Sequence, residues 1–135
     1  MLTKIIKAKD ETEIESAAEK SAEVIKHGGI VALPTETVYG LCANALNEKA
    51  VEKIFTAKGR PQDNPLIVHV SGMKMAEKLL LNIPELAYKL SEKFWPGPLT
   101  MIMLKRNIIP DTVSAGLSSI GVRMPNSNVF LKTID

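Results

Sequence analysis

The chain has 135 residues, the size of one domain, because domains usually run to roughly 100 to 200 residues. Its 45% hydrophobic and 24% charged residues are typical of a globular protein and exclude the disordered and collagen-like classes. Seventeen basic and fifteen acidic side chains leave a formal charge of +2, well below the basic excess of a dedicated nucleic-acid-binding domain. No apolar run approaches the roughly 20 residues that span a bilayer, and residues 1–10 lack the apolar core of a signal peptide. We therefore expect a cytoplasmic protein without membrane contact.

Helix and strand patterns alternate along the first half of the chain. Apolar residues at helical spacing predict a helix over 11–27, and the apolar run 30–33 predicts a short buried strand. Asn47 precedes a second helical stripe and is an N-cap candidate, so a helix is expected from there to residue 58. Leu66 to Val70 is predicted to form the next strand.

The second half continues the alternation. Helices are predicted over 72–81 and 84–95, and short apolar runs predict strands over 99–104 and 120–123. Asn126 is a candidate cap for a last helix. The pattern indicates an α/β domain with a mixed sheet.

The familiar catalytic motifs are absent from this sequence. There is no GxxxxGK[ST], GxGxxG, HExxH or GxSxG segment. A single cysteine, Cys42, excludes an internal disulfide and a cysteine-based zinc site, even with His27 and His69 available. Cys42 is expected to be a small apolar filler, and no metal-ligating residues are predicted.

The segment Lys58-Gly59-Arg60-Pro61 is the most informative polar stretch. Pro61 disfavours a helical Arg60, and in an extended chain Lys58 and Arg60 point to the same side. Two converging cations suit a triphosphate, a carboxylate or both. The alternative is a basic helix end that complements the helix dipole, and the spacing alone does not separate the two.

Other candidates lie near strand ends. His69 shares a strand face with Ile67, although a lone histidine there is more often structural than catalytic. The hydroxyls of Thr35 and Thr37 either bind a small polar ligand or bond to their own backbone. Arg123 ends a short strand and points either at a site or at water.

Six segments together resemble a known family. They are Pro34–Leu41, Lys58–Pro61, Asn64–Leu66, His69–Val70, Trp95–Thr100 and Gly121–Pro125. In order and spacing they resemble the YrdC-like family of threonylcarbamoyl-AMP synthases. The resemblance implies an open, twisted, mostly mixed α/β sheet with flanking helices around a concave basic cavity.

The resemblance also implies an activity. Members of the family are nucleotidyltransferases that combine L-threonine, bicarbonate and ATP into threonylcarbamoyl-AMP and pyrophosphate. Separate proteins then transfer the threonylcarbamoyl group to the tRNA adenosine next to the anticodon. A divalent metal such as Mg²⁺, carried on the phosphates, would reduce the repulsion between the anionic reactants.

The family pattern assigns roles to six side chains of this sequence. Lys58 and Arg60 match the KxR signature, which implies catalytic contacts to the phosphates and to the threonine carboxylate. The positions that match threonine-binding residues are Thr35, His69 and Arg123. Thr100 matches a residue beside the nucleotide.

One family motif has no counterpart here. The SxN motif that completes the family's site lies beyond Asp135, and Asn126-Ser127-Asn128 has the wrong spacing for that role. We therefore expect residues 1–135 to form a single YrdC-like domain that is incomplete at its C-terminal end. The alternatives to a synthase are an RNA-binding module and an inactive, truncated relative that uses the same basic cavity.

Overall fold

The computed structural model describes residues 2–135, over which helices and strands alternate as expected. The helices are Glu11–Lys26 (α1), Glu48–Lys58 (α2), Met73–Leu79 (α3), Glu85–Phe94 (α4), Asp111–Ser114 (α5) and Asn128–Ile134 (α6). The strands are Val31–Leu33 (β1), Gly40–Cys42 (β2), Ile67–His69 (β3), Met101–Leu104 (β4) and Ser119–Arg123 (β5). Within residues 2–135, no helix is both long and apolar enough to cross a membrane.

The strands form two small sheets. Strands β1 and β2 make an antiparallel pair, and the other three strands form a sheet in the order β3-β5-β4. In the three-stranded sheet β5 is the central strand, parallel to β3 and antiparallel to β4. This arrangement confirms the predicted mixed sheet.

The two faces of the three-stranded sheet have opposite character. Alternate residues of a strand point to opposite faces, and Val68, Ile120 and Val122 are buried in the main hydrophobic core with residues of α2 to α5. The side chains on the opposite face of the sheet include Ile102, which is 76% exposed, and Ile67, which is 46% exposed. Helices α2 to α5 therefore cover one face, and the other, here called the open face, is exposed around Ile67 and Ile102.

Side-chain caps begin two of the helices. The Asn47 side chain accepts a hydrogen bond from the backbone N–H of Ala50, which confirms the predicted cap of α2. Asp10 caps α1 in the same way through the N–H of Glu13. Each cap satisfies a backbone donor that the first helical turn leaves free.

Several element predictions need correction. The last helix begins after Ser127, so the predicted cap at Asn126 is wrong, and Asn126 instead donates its backbone N–H to Glu36. Strand β2 and helix α5 were not predicted from the sequence. Neither contains the short apolar run that revealed strands of the same length: β2 is Gly-Leu-Cys and α5 is Asp-Thr-Val-Ser.

Shortening an isoleucine side chain to alanine should lower the free energy of unfolding by different amounts on the two faces of the sheet. Ile120→Ala removes a side chain that is 1% exposed, so we expect a loss of about 2 to 5 kcal/mol in the free energy of unfolding. Ile102→Ala on the open face is the matched control and should change it by less than about 0.5 kcal/mol. Urea denaturation of both variants measures the difference. Equal losses would contradict the assignment of the faces.

Candidate functional site

The open face of the three-stranded sheet carries polar candidates at one end. His69 of β3 lies directly beside Arg123 of β5 in the parallel register. Both side chains share a face with Gly121, which lies opposite Ile67 on the neighbouring strand. The end of β5 therefore brings together two of the residues predicted to contact a substrate.

An ion pair joins the end of β5 to the turn between β1 and β2. The Arg123 guanidinium donates through Nη2 to Oε1 of Glu36, and Thr37 Oγ1 lies 3.5 Å from the same nitrogen. The other carboxylate oxygen of Glu36 accepts the backbone N–H of Asn126 at 2.9 Å. The side chains of Glu36 and Arg123 are only 18% and 11% exposed. Residues distant in the sequence are thereby held together in a partly buried place.

The carboxyl group of Glu36 is held in its ionised form. Burial raises its pKa, but hydrogen bonds from its own backbone N–H and from Asn126, together with the guanidinium of Arg123, outweigh burial. The net result is a pKa below the ordinary value. A fixed negative charge therefore faces Arg123.

Arg123 retains unused hydrogen-bonding capacity. Its Nε is buried and has no hydrogen-bond partner within residues 2–135. A guanidinium has five N–H donors in a planar fork, and carboxylates bind to such forks with two parallel hydrogen bonds. Nε is enclosed and Nη2 is bonded to Glu36, so Nη1, which is not buried, is the donor group suited to a ligand carboxylate.

Thr35 organises the turn that carries Glu36. Its Oγ1 accepts the backbone N–H groups of Thr37 and Val38 at 3.1 Å, and donates to the carbonyl of Val38 at 2.6 Å. Of the two readings left open for Thr35, bonding to its own backbone is therefore the one observed. Contact of Thr35 with threonine stays a prediction.

His69 is held in its neutral form. Burial and the positive charge of Arg123 lower its pKa to about 4, against a smaller opposing effect of Glu36. Its ring packs on Phe130 of α6, with the ring centroids 4.8 Å apart. Because the folded-state pKa lies below the ordinary 6.5, protonation opposes folding. The stability that neutral His69 contributes is complete above pH 6.5 and is lost as the pH falls towards 4.

The predicted extended path of Lys58-Gly59-Arg60 is wrong. Lys58 is the last residue of α2, and Gly59 has a left-handed conformation with φ of 58°. The N–H of Gly59 bonds to the Thr56 carbonyl and that of Arg60 to the Phe55 carbonyl, so the helix ends in a glycine cap. The left-handed turn at Gly59 interrupts the extended path, because local closure of the helix sets the backbone before the bias of Pro61 acts on Arg60.

Thr100 lies against the central strand. A Cβ on Gly121 would come within 3.0 Å of the Thr100 Cγ2 atom, so glycine makes this close approach possible. The preceding loop is fixed at both ends: Trp95 Nε1 donates to the Leu99 carbonyl, and the Gly97 N–H donates to the Met124 carbonyl, each at 2.8 Å. The loop and the end of β5 thus form one edge of the open face.

Neither cysteine nor metal chemistry is indicated in the described part of the chain. Burial raises the pKa of the Cys42 thiol to about 11, although the backbone of Leu33 and the charge of Lys58 act in the opposite direction. A thiol with that pKa is a poor nucleophile at neutral pH. No group of three or more His, Cys, Asp or Glu side chains in residues 2–135 is arranged to hold a metal ion.

The structure brings some candidates together and leaves others apart. Arg123 pairs with the carboxylate of Glu36, His69 lies beside Arg123, and Thr35 belongs to the turn that carries Glu36. Over residues 2–135, no hydrogen bond or ion pair links Lys58 or Arg60 to this group. Glu36 was not singled out from the sequence. Its signal is a lone acidic residue between two threonines in a turn, but the sequence does not show which cation it faces.

The environment of His69 predicts an unusual titration. We expect a pKa of about 4 for His69 by NMR in a His27→Asn background, which leaves one histidine to observe. Arg123→Gln should raise this pKa, because it removes a positive charge that opposes protonation and leaves Glu36 facing the ring. An ordinary pKa in the parent, or no rise in the variant, would contradict the arrangement.

Comparisons with known proteins agree with this arrangement of elements. The model of the Sua5, YciO and YrdC family, described as "Telomere recombination", matches residues 23–135. Threonylcarbamoyl-AMP synthase of Pyrococcus abyssi is 50% identical over 115 residues, which cover 85% of this chain and 34% of that protein. The Bacillus subtilis threonylcarbamoyl-AMP synthase is 47% identical over 116 residues, again covering 85% of this chain and 34% of the relative.

A solved structure is also similar. Pyrococcus abyssi Sua5 complexed with L-threonine matches with a TM-score of 0.84 and 49% identity, over 93% of this chain and 36% of that chain. The chain thus spans about a third of the length of these relatives. The expected YrdC-like α/β fold is confirmed, whereas the concave basic cavity stays a prediction. By its sequence and its fold, the chain belongs to the Sua5/YciO/YrdC family.

Proposed function

We propose that this chain supplies the threonine-binding and phosphate-binding part of an L-threonylcarbamoyladenylate synthase. The reaction forms threonylcarbamoyl-AMP and pyrophosphate from L-threonine, bicarbonate and ATP. Its product would serve threonylcarbamoyl modification of tRNA in the cytoplasm, through separate transfer proteins. The activity of the whole protein is part of this proposal, because the chain spans about a third of its relatives.

The observation that carries the proposal is the partly used guanidinium of Arg123 beside His69. An amino acid substrate offers a carboxylate, and Nη1 of Arg123 is not buried and makes no hydrogen bond within residues 2–135. The relative of known structure at 49% identity is described in complex with L-threonine. The match between a guanidinium with a free donor group and a carboxylate ligand supports threonine at this place.

Neutral His69 and the hydroxyl of Thr35 suit the rest of the amino acid. A histidine with a pKa of about 4 stays uncharged at neutral pH and offers one donor and one acceptor. Such a group binds a polar substrate without adding a further positive charge beside Arg123. We assign His69 to threonine binding on these grounds, and Thr35, whose hydroxyl is bonded within its own turn, on the family pattern alone.

Lys58 and Arg60 would serve the phosphates. They flank Gly59, which has no atom within 4 Å of where a Cβ would lie, so the segment is open to a ligand. Cations at this place would stabilise the negative charge that develops when the carboxylated threonine attacks the α-phosphate. Thr100, beside Gly121, would lie next to the nucleotide.

A divalent metal would enter with ATP. The described residues offer no cluster of carboxylate, histidine or cysteine ligands for a resident ion. Carboxylates and phosphates are the ligands that Mg²⁺ prefers, and ATP supplies the phosphates itself. Mg²⁺ on the substrate would help to neutralise its charge.

A direct assay tests the proposal. The purified chain is incubated with ATP, Mg²⁺, bicarbonate and L-threonine, and threonylcarbamoyl-AMP is sought by mass-resolved chromatography. We expect product that requires threonine, and about ten- to hundredfold less of it for Lys58→Ala or Arg60→Ala, since each loses a charge-assisted contact. Lys89→Ala, which removes an exposed lysine paired with Glu85, is the matched control and should retain activity.

Two results would contradict the proposal. The first is a folded chain that neither binds threonine nor forms product, because the proposal assigns threonine binding to these residues. A chain that binds threonine without forming product would instead assign the remaining chemistry to the SxN segment. The second is unchanged product formation in Lys58→Ala and Arg60→Ala, which would remove both cations from the mechanism.

A further inference from the structure

The carboxylate of Glu36 is the point where three segments of the chain meet. It lies in the turn between β1 and β2, accepts from Arg123 at the end of β5, and accepts the backbone N–H of Asn126 in the loop that follows. Thr37, next in the turn, adds a contact of 3.5 Å to the same guanidinium nitrogen. One side chain therefore sets the position of the arginine relative to the turn.

Arg123 needs such a partner because it is nearly buried. Its side chain is 11% exposed, and a buried charge that loses its partner costs several kcal/mol. Without the carboxylate, turning the guanidinium towards water would lower the free energy of the long arginine side chain. The orientation of its donor fork therefore depends on Glu36.

The pairing is also selective within the guanidinium. Glu36 and Thr37 both contact Nη2, whereas Nε has no partner. Nε is enclosed by the protein, and the carboxylate of Glu36 occupies Nη2, so the donors left for a ligand are those of Nη1, which is not buried and makes no hydrogen bond within residues 2–135. A second carboxylate can bind there without displacing the first.

We propose that Glu36 is a positioning residue for substrate recognition: it holds Arg123 so that the free Nη1 end of the guanidinium receives the carboxylate of the amino acid substrate. This inference rests on the proposed function, because it takes threonine as the ligand. Glu36 itself does not touch the substrate. Its carboxylate acts only through Arg123 and through the turn that carries Thr35.

If Glu36 competed with the substrate for Arg123 instead of positioning it, removing Glu36 would change the affinity for threonine in the opposite direction. If Glu36 merely competed with the substrate for Arg123, its removal would increase the positive charge available and tighten threonine binding. If it positions Arg123, its removal weakens binding although the local charge becomes more positive. The sign of the change therefore distinguishes positioning from competition.

The first experiment needs no substrate. The Arg123 Nε–H resonance is followed by NMR in the parent, in Glu36→Gln and in Glu85→Gln, the last of which removes a carboxylate from an exposed ion pair on α4. We expect a sharp, slowly exchanging resonance in the parent and the control, and a shifted or broadened one in Glu36→Gln. An Arg123 resonance that does not respond to Glu36→Gln overturns the inference.

The second experiment measures threonine binding by calorimetry in the same proteins. We expect Glu36→Gln to bind threonine about ten- to hundredfold more weakly than the parent, with Glu85→Gln unchanged. In the ATP-dependent assay the KM for threonine should rise while the KM for ATP stays the same. A purely structural defect would alter both constants.

The outcomes separate the inference from the proposed function. A parent that binds no threonine overturns both. A parent that binds threonine, with equal or tighter binding in Glu36→Gln, overturns the positioning role alone and leaves the proposed function standing. Glu36→Asp, which keeps the charge on a shorter side chain, should restore part of the affinity.

Discussion

The alternation of side chains along β5 is the constraint on which the rest of the molecule depends. Ile120 and Val122 point into the core, and Gly121 and Arg123 point to the open face. A shift of one residue in register would bury the arginine and expose the two apolar side chains. The same strand therefore fixes the hydrophobic core and the position of the guanidinium.

The electrostatics of the site follow from partial burial. Arg123 lowers the pKa of His69, whereas Glu36 opposes that effect and is itself kept ionised by the N–H groups and the guanidinium around it. Glu36 and Arg123 together are close to neutral, so their burial costs less than that of either charge alone. Neutral His69 lies beside them without adding charge. The Glu36–Arg123 pair can therefore be largely buried while Arg123 keeps N–H donors for an anionic ligand.

Much of the fold was predictable from local patterns. Periodic apolar residues gave the long helices, and short apolar runs gave β1, β3, β4 and the end of β5 to within a few residues. The sequence did not predict β2 and α5, because they are too short for a period and lack the apolar runs that marked the other short strands. Nor did it predict the left-handed Gly59, where closure of helix α2 competes with the extended bias before Pro61.

The site was predictable in its residue types but not in its partners. Arg123 and His69 were identified by the motifs in which they occur, and their adjacency follows from the parallel register of β3 and β5. Glu36 was missed because its importance depends on Arg123, which is distant in the sequence. Local patterns do not encode such a pairing. It becomes visible only when the turn and the strand are folded together.

The central place of β5 in the sheet has a consequence for folding during synthesis of the chain. The central strand of the three-stranded sheet is the last of its strands to leave the ribosome, since β3 and β4 both precede it. Until β5 emerges, the apolar sides of β3 and β4 have no common neighbour, and His69 has no arginine beside it. Nascent chains that stop before residue 119 would therefore expose their apolar strands together and depend on chaperones.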